Sequence, residues 1–302
     1  MNKIKIALDW TANVNHIGLY IARDLGYYSE KKLEISIHTA DEDHYKTTPA
    51  KKVELGEVDF ALCPMESIIS YQTKRNHFGL IAIATIYQND LSAIACTALS
   101  GLKKPKDLDG RSYASYAARY EDKIVQEMIK NDGGSGNLTI KYPQKLGIWE
   151  TLVTAKYDAT WIFTNWEALQ AESRKIDLNL FKMSDYGIPY SYSPVIACDT
   201  NKLKTKATEY SAFLKASKKG FLYAKNNPKE AAALLAKYIP ESDKTIDLEQ
   251  SIKISSKSYG SDTEWGTMSA SRITEFTDWL KHKNLEQNPP EAEKLFSNSL
   301  LS

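Results

Sequence analysis

The sequence predicts an α/β protein of two lobes followed by a helical C-terminal part. Stretches of strand and helix periodicity alternate before residue 200, which is typical of strand–helix–strand units around a mainly parallel sheet with helices on both faces. The 302 residues suffice for two domains of roughly 100–200 residues each. Turn-like segments at residues 88–92 and 190–194 flank the second set of units. If the chain crosses between lobes at both segments, the second lobe is an insertion.

The first lobe begins with a strand. Ile4, Ile6 and Leu8 are apolar at period two, and a polar turn at residues 10–15 follows them. The pattern after this turn predicts helices at residues 16–27, 51–55 and 64–71 and strands at residues 35–37, 58–63 and 80–87. Pro64 suits the first turn of its helix, because a backbone N–H at that position has no partner within the helix.

The second lobe repeats the alternation. The pattern predicts strands at residues 111–116, 138–140, 157–163 and 178–181 and helices at residues 119–130, at 149–155 and from Asn165 onward. The side chain of Asn165 is suited to capping the helix that it begins. From residue 201 the chain is almost wholly helical. The predicted boundaries are residues 1–90 and 193–302 for lobe 1 and residues 91–192 for lobe 2, and two crossings make a hinge that closes around a ligand.

Composition and charge exclude several classes of partner. Lys and Arg total 39 and Asp and Glu total 38, so the formal net charge is +1 and the basic excess of a nucleic-acid-binding protein is missing. No apolar run approaches the roughly 18 residues that span a bilayer. We therefore expect no nucleic-acid partner and no membrane insertion, and a monomer or weak dimer.

The cysteines and the N-terminus bear on the compartment. Cys63, Cys96 and Cys198 lie far apart, each in or beside an apolar run, which favours buried free thiols over a disulfide framework. The first residues enter a strand pattern at once and leave no room for a secretory signal. We expect a cytoplasmic protein; the alternative is a periplasmic or extracellular protein from which a signal segment was removed.

Four segments carry a resemblance to a known family. Residues 7–22 combine a strand, an Asp-Trp pair, a polar turn, a histidine and a helix, and Gly26-Tyr27-Tyr28 matches the helix end. Residues 56–60 and 108–111 match a strand and a turn that recur in periplasmic-binding-like proteins. The chain resembles the thiamine-pyrimidine family, which includes formylaminopyrimidine-binding transport proteins and synthases of the thiamine pyrimidine precursor. The resemblance implies a type II periplasmic-binding-protein fold with a ligand cleft between two α/β lobes.

The sequence departs from the synthase branch of that family. Aligned through the Val58-Asp59 strand, the positions of the synthases' pyridoxal-phosphate lysine and of a histidine four residues later hold Cys63 and Ser67. A thiol cannot form the Schiff base that a lysine amine forms. The family's cysteine-rich, iron-associated stretch is also missing around residues 190–198. The resemblance therefore implies the fold and the cleft, and not the synthase chemistry.

Candidate ligand-binding residues of lobe 1 follow its strands. Trp10, Asn13 and His16 follow the first strand, whose carboxyl end is where ligands collect in open α/β sheets, and a Trp ring can stack on a flat ligand. Glu66 and Ser67 begin a helix, and the unpaired backbone N–H groups of a helix N-terminus can also donate to a ligand. The alternatives remain open: Trp10 is a core residue, His16 caps a helix or binds a loop carbonyl, and Glu66 only favours the helix dipole.

Candidate residues of lobe 2 occupy the corresponding turns and the second crossing. They are Tyr116, Arg119, Tyr120, Asn165, Trp166, Glu167 and Tyr190. Arg119 could pair with a ligand carboxylate or phosphate, or with Glu121 or Asp122 at the surface. Trp166 and Glu167 would close over a ring from the far side. With eighteen tyrosines in the chain, several are expected to be structural.

These residues favour reversible binding of a small, polar, pyrimidine-like metabolite with hinge closure. One alternative is an enzyme of thiamine or cofactor pyrimidine biosynthesis that uses other residues, and another is the substrate-binding component of an ABC importer. We expect no catalytic residue, no cofactor and no metal, since the five histidines lack ligand spacing and no phosphate-binding glycine loop or dinucleotide fingerprint occurs.

Overall fold

The computed structural model describes residues 1–301, which divide into two compact units. Unit 1 comprises residues 1–90, 191–274 and those from 288 onward, and unit 2 comprises residues 91–190 and 275–287. Residues 275–287, which the sequence analysis groups with lobe 1, pack with unit 2. Lys283 in this segment pairs with Glu127 of unit 2 at 2.6 Å.

Each unit contains a five-stranded sheet. The strands are β1 (Asn2–Ala7), β2 (Leu33–His38), β3 (Phe60–Cys63), β4 (Leu80–Thr85), β5 (Ser92–Thr97), β6 (Ser112–Ala114), β7 (Thr139–Lys141), β8 (Ala159–Phe163), β9 (Leu178–Phe181) and β10 (Val195–Asp199). The α-helices are α1 (Ile17–Asp24), α2 (Tyr27–Glu30), α3 (Pro49–Glu54), α4 (Met65–Thr73), α5 (Glu121–Asn131), α6 (Ile148–Val153), α7 (Glu167–Ser173), α8 (Lys202–Thr205), α9 (Ala207–Asn226), α10 (Pro228–Leu235), α11 (Leu248–Ser256), α12 (Ala270–His282) and α13 (Ala292–Leu295).

The two sheets share one plan. The strand order is β2-β1-β3-β10-β4 in unit 1 and β7-β6-β8-β5-β9 in unit 2. In each sheet the first three strands are parallel, and β10 or β5 inserts antiparallel to both of its neighbours. The α/β prediction is confirmed, but the sheets are mixed rather than mainly parallel, because the strand that follows each passage between units enters in the opposite direction.

The helices α1 and α9 pack closely against each other in unit 1. A Cβ atom added at Gly220 of α9 would lie 2.0 Å from the carbonyl oxygen of Gly18, and one added at Gly18 would lie 2.2 Å from the ring of Phe221. Only glycine therefore allows the two helices to approach this closely. The start of α1, where His16 lies, is held against the core of unit 1.

Two local features bear on other predictions. The three cysteines are buried and free, which confirms the prediction of buried free thiols. In unit 2 the glycine-rich segment at residues 133–136 is anchored, because the Asp109 carboxylate accepts hydrogen bonds from the backbone N–H groups of Ser135 and Asn137. These bonds, that from Ser135 first, hold the pKa of Asp109 below its usual value.

Candidate functional site

The candidate site of unit 1 lies at the edge of its sheet where β1, β3 and β4 end. These three strands run in one direction, and β10 begins at the same edge. The segments at this edge are therefore residues 8–16 after β1, residues 64–67 after β3 and residues 86–88 after β4. Such an edge is where open α/β sheets bind ligands.

Asp9, Asn13 and His16 form one hydrogen-bonded group after β1. The Nδ1 atom of His16 accepts the backbone N–H of Asn13 at 3.3 Å, and Nε2 lies 2.8 Å from Oδ1 of Asp9. Because Nδ1 accepts, the proton of the neutral ring is on Nε2 and is donated to Asp9. The His16 side chain is fully buried, whereas that of Asp9 is 18% exposed.

The Asn13 side chain is also engaged within the turn. Its Oδ1 accepts the backbone N–H of Asn15 at 2.8 Å, and Asn13 and His16 together form a capping box on the short 3₁₀ helix Val14–His16. Of the predicted candidates, Asn13 and His16 thus shape the loop and position Asp9. The contacts of His16 are thus those of a capping residue, one of the alternatives that the sequence left open.

Trp10 and Tyr45 form a pair of aromatic rings beside Asp9. Their centroids are 5.8 Å apart with 56° between the ring planes, and both residues are half-buried. His44 and Tyr45 both have positive φ, 54° and 58°, a conformation that side chains other than glycine rarely adopt. Burial, and next the Asp9 carboxylate, raise the pKa of Tyr45. The loop is therefore held in a costly conformation that keeps Tyr45 near Trp10 and Asp9.

The end of β3 supplies Cys63 and Glu66. Cys63 is 3% exposed and Glu66, in the first turn of α4, is 5% exposed. Burial raises the pKa of the Cys63 thiol, and the carboxylates of Asp9 and Glu66 add to this effect. We call Asp9, Trp10, Tyr45, Cys63 and Glu66 the β1–β3 corner. Ser67 lies just outside this group, half-buried, with its backbone N–H on the carbonyl oxygen of Pro64.

In unit 2 the turn after β6 is organised by Glu121, which the sequence indicated only as a surface partner for Arg119. Its carboxylate accepts hydrogen bonds from the Tyr113 hydroxyl at 2.7 Å and from the backbone N–H groups of Tyr116 at 3.0 Å and Ala118 at 3.2 Å. Burial raises the pKa of Glu121 although these three bonds oppose the change. The buried carboxylate closes the turn that carries the predicted residues Tyr116, which is half-buried, and Arg119.

Arg119 and Tyr120 bind a partner that the sequence did not indicate. Nη2 of Arg119 lies 2.6 Å from Oε2 of Glu286, and the Tyr120 hydroxyl donates to the same oxygen at 2.9 Å. The sequence offered Glu121 or Asp122 as surface partners of Arg119; the ion pair seen in unit 2 is with Glu286, which a segment 167 positions away brings to this turn. The guanidinium charge is therefore already balanced within unit 2.

The turn after β8 buries its predicted residues. Asn165 is 0%, Trp166 2% and Glu167 9% exposed. The prediction that Asn165 caps α7 is wrong. The residue at the N-cap position is Trp166, whose side chain forms no capping hydrogen bond. Oε2 of Glu167 accepts the backbone N–H of Phe163 at 2.8 Å. The indole of Trp166 is thus enclosed by protein and presents no open ring face.

Tyr190 lies beside Trp161, an aromatic residue that was not among the candidates predicted from the sequence. The Tyr190 ring meets Trp161 of β8 edge-on at 5.2 Å and Phe276 at 5.5 Å. Tyr190 and Trp161 are both half-buried. The only signal in the sequence was a tryptophan within the predicted strand at residues 157–163, and a tryptophan in such a strand is more typical of core packing.

The topology defines the class of protein, and solved structures agree with it. A ligand-binding component of an ABC-type import system from Staphylococcus aureus covers 100% of this chain and 98% of its own at a TM-score of 0.71, with 16% sequence identity. The periplasmic aliphatic sulphonate binding protein SsuA from Escherichia coli covers 100% of both chains at a TM-score of 0.70, with 12% identity. The fold is that of the periplasmic binding proteins.

The family follows from the sequence comparison. The chain belongs to the NMT1/THI5-like family, whose profile matches residues 13–231. This confirms the resemblance on which the sequence analysis relied.

Three curated relatives show the range of names in this family. A putative thiamine biosynthesis protein of Haemophilus influenzae is 26% identical over 79% of this chain and 74% of its own. A formylaminopyrimidine-binding protein of Halalkalibacterium halodurans is 22% identical over 99% of this chain and 90% of its own. A 4-amino-5-hydroxymethyl-2-methylpyrimidine phosphate synthase of Legionella pneumophila is 21% identical over 80% and 75%.

Two further findings concern the described part of the chain. Within residues 1–301 every helix is too short or too polar to cross a membrane. In the same residues, histidine, cysteine and carboxylate side chains nowhere gather in the groups of three that hold a metal ion.

Proposed function

We propose that this chain reversibly binds a small polar metabolite with a flat, pyrimidine-like ring. The observation that carries the proposal is the β1–β3 corner, where two aromatic rings and a partly exposed carboxylate meet at the ligand-binding edge of the sheet. The alignment of 99% of the chain with a formylaminopyrimidine-binding protein supports this ligand class. The sequence-based prediction of closure between two lobes is part of the proposal.

The same corner argues for binding over synthase chemistry. The resemblance implies a pyridoxal-phosphate lysine at the position of Cys63, and the buried thiol at this position offers no amine for a Schiff base. The residues present therefore do not fit that cofactor. Incubation of the pure protein with pyridoxal phosphate and iron tests the enzyme alternative, and a Schiff-base absorbance or turnover would overturn the binding proposal.

Calorimetric titration with formylaminopyrimidine tests the proposal directly. We expect saturable binding to the wild-type chain. The affinity of Trp10→Ala should be lower by about 10-fold or more, because loss of one stacking ring typically costs about 1–3 kcal/mol. Trp10→Phe should fall between the two, since it keeps a smaller ring. Trp279→Ala is the matched control: Trp279 is also half-buried, but it stacks on Phe276 of α12. Wild-type affinity in Trp10→Ala, or no binding of any pyrimidine by the wild type, would refute the proposal.

The proposal extends to location and assembly. The periplasmic protein among the solved structures favours the exported alternative of the sequence analysis, and with it a role as the binding component of an importer, over the cytoplasmic expectation. Fractionation of the native cells with an antibody against the chain separates the two locations. Light scattering tests the expected monomer or weak dimer, for which a mass of 34.0 kDa or a concentration-dependent increase above it is expected.

A further inference from the structure

We infer that the carboxylate of Asp9 is the group that reads the ligand, so that the site selects a flat ring bearing an amino group over the same ring bearing an oxo group. This inference rests on the proposed function, since it names the part of the metabolite that unit 1 recognises. Asp9 was not among the residues that the sequence singled out. The contacts around it assign the role.

The histidine of the turn cannot bind the ligand without breaking the turn. Both ring nitrogens of His16 are engaged, one by the backbone N–H of Asn13 and the other by Asp9, and the side chain is fully buried. The Asn13 side chain is likewise occupied by the backbone N–H of Asn15. Asn13 and His16 are therefore positioning residues, and what they position is the Asp9 carboxylate.

The Asp9 carboxylate keeps accepting capacity that the protein does not use. Its one hydrogen-bond partner among residues 1–301 is Nε2 of His16, on Oδ1. An ionised carboxylate accepts about four hydrogen bonds and donates none. With 18% of the side chain exposed, the remaining lone pairs are accessible to a ligand. A ligand group that meets them must donate. An exocyclic amino group does so, whereas the oxygen that replaces it in an oxo ring cannot, and the N–H of the oxo ring lies at the neighbouring ring nitrogen and points elsewhere.

The rings beside Asp9 define the shape of the ligand. Trp10 is the next residue in the chain, and Tyr45 lies 5.8 Å from it, held there by two successive residues with positive φ. The electrostatic potential at the β1–β3 corner is negative. The Asp9 carboxylate adds to the effect of burial in raising the pKa of both Tyr45 and Cys63. No lysine or arginine in residues 1–301 forms an ion pair with Asp9. Flat rings and an unbalanced acceptor together fit an aromatic amine.

The test is a change of selectivity in Asp9→Asn. Calorimetry would use 4-amino-5-hydroxymethyl-2-methylpyrimidine and its 4-oxo counterpart, with adenine and hypoxanthine as a second amino and oxo pair. The wild type should prefer each amino ring by about 10- to 100-fold, the range for one hydrogen bond to a charged group. Asp9→Asn can still accept from His16 but presents an NH₂ group to the ligand. It should lose that preference and bind the 4-oxo ring more tightly than the wild type does, a gain that a merely unfolded variant cannot produce.

A matched control and the other outcomes complete the test. Asp41→Asn changes an exposed aspartate on the nearby loop and should leave both affinities unchanged. Equal wild-type affinity for amino and oxo rings, or an equal loss of both in Asp9→Asn, would overturn the inference while leaving pyrimidine binding in place. Adenine binding that depends on Asp9, without pyrimidine binding, would support the inference and refute the pyrimidine assignment. If the wild type binds none of the four rings and no formylaminopyrimidine, both proposals fall.

Discussion

A methyl group at Gly220 would force α1 and α9 apart. In Gly220→Ala the new Cβ would lie 2.0 Å from the carbonyl oxygen of Gly18, 2.9 Å from its carbonyl carbon and 3.1 Å from the Cβ of Ala22. The obstacle is backbone, so no side chain can rotate away and the helices must separate by roughly 1 Å to restore normal contact distances. Overpacking of this kind costs about 1–3 kcal/mol, and alanine returns about 1 kcal/mol of helix propensity. Because backbone must move, we take the upper end of the overpacking range, about 3 kcal/mol, and expect a net loss of about 2 kcal/mol.

The assay is thermal unfolding followed by circular dichroism, with urea unfolding as a second measure. For a domain of the size of unit 1, about 2 kcal/mol corresponds to a fall in Tm of roughly 4–8 °C. Gly79→Ala is the control, because its Cβ would lie 3.4 Å from the Thr200 side chain, an ordinary contact. We expect this variant to stay within about 0.5 kcal/mol of the wild type. A Tm of Gly220→Ala equal to that of Gly79→Ala would show that the helices are not in close contact, and the positioning of His16 by this packing would be refuted with it.

Three further predictions concern unit 2 and the thiols. The pKa of Asp109 is lowered in the folded protein, so the hydrogen bonds from this carboxylate to residues 135–137 should be fully present above its unfolded pKa of about 3.9 and be lost as the pH falls through the lower folded value. Loss of these bonds should speed the hydrogen exchange of the backbone amides at residues 135–137, and Asp109→Asn should show this faster exchange already at neutral pH. Unchanged exchange in the variant would contradict the anchoring role of Asp109. Glu286→Ala removes the carboxylate that binds both the Tyr120 hydroxyl and the Arg119 guanidinium and should cost about 1–3 kcal/mol in urea unfolding, whereas Glu291→Ala, at an exposed site, should cost little. All three buried cysteines should resist an aromatic disulfide reagent in the native state and react in denaturant; fast native reaction of any of them would show that its burial is incomplete.

The sequence predicts well those elements whose periodicity is local. The strand predicted at residues 178–181 is β9 itself, and those at 58–63 and 157–163 contain β3 and β8. The strands β5 and β10 were not predicted, because a buried apolar run looks the same whether it enters a sheet parallel or antiparallel, or not at all. The helix predicted at residues 16–27 ends at Asp24, since Gly26 adopts positive φ and interrupts it.

The candidate site was predicted only in part, for a comparable reason. The motif after β1 pointed to the edge of the sheet where β1, β3 and β4 end, and Trp10 lies there. The motif could not show that His16 would turn inward to hold Asp9, since this depends on which ring nitrogen meets which backbone group. Tyr45 was missed because its position depends on two residues with positive φ, and nothing in the letters His-Tyr indicates that conformation. The pairing of Arg119 with Glu286 spans 167 positions and is equally invisible in a single sequence.

The place of β10 in its sheet sets an order of events during synthesis. The strand β4 is buried along its whole length, and its neighbour in the sheet is β10, which is made only after all of residues 91–190. At roughly 5–20 residues per second the ribosome needs about 5–20 s to supply this stretch. During that interval the nascent first unit carries an apolar strand with an unpaired edge, a template for aggregation. Unit 2 can begin to form before unit 1 is complete, and a chain halted at residue 190 would expose β4 permanently.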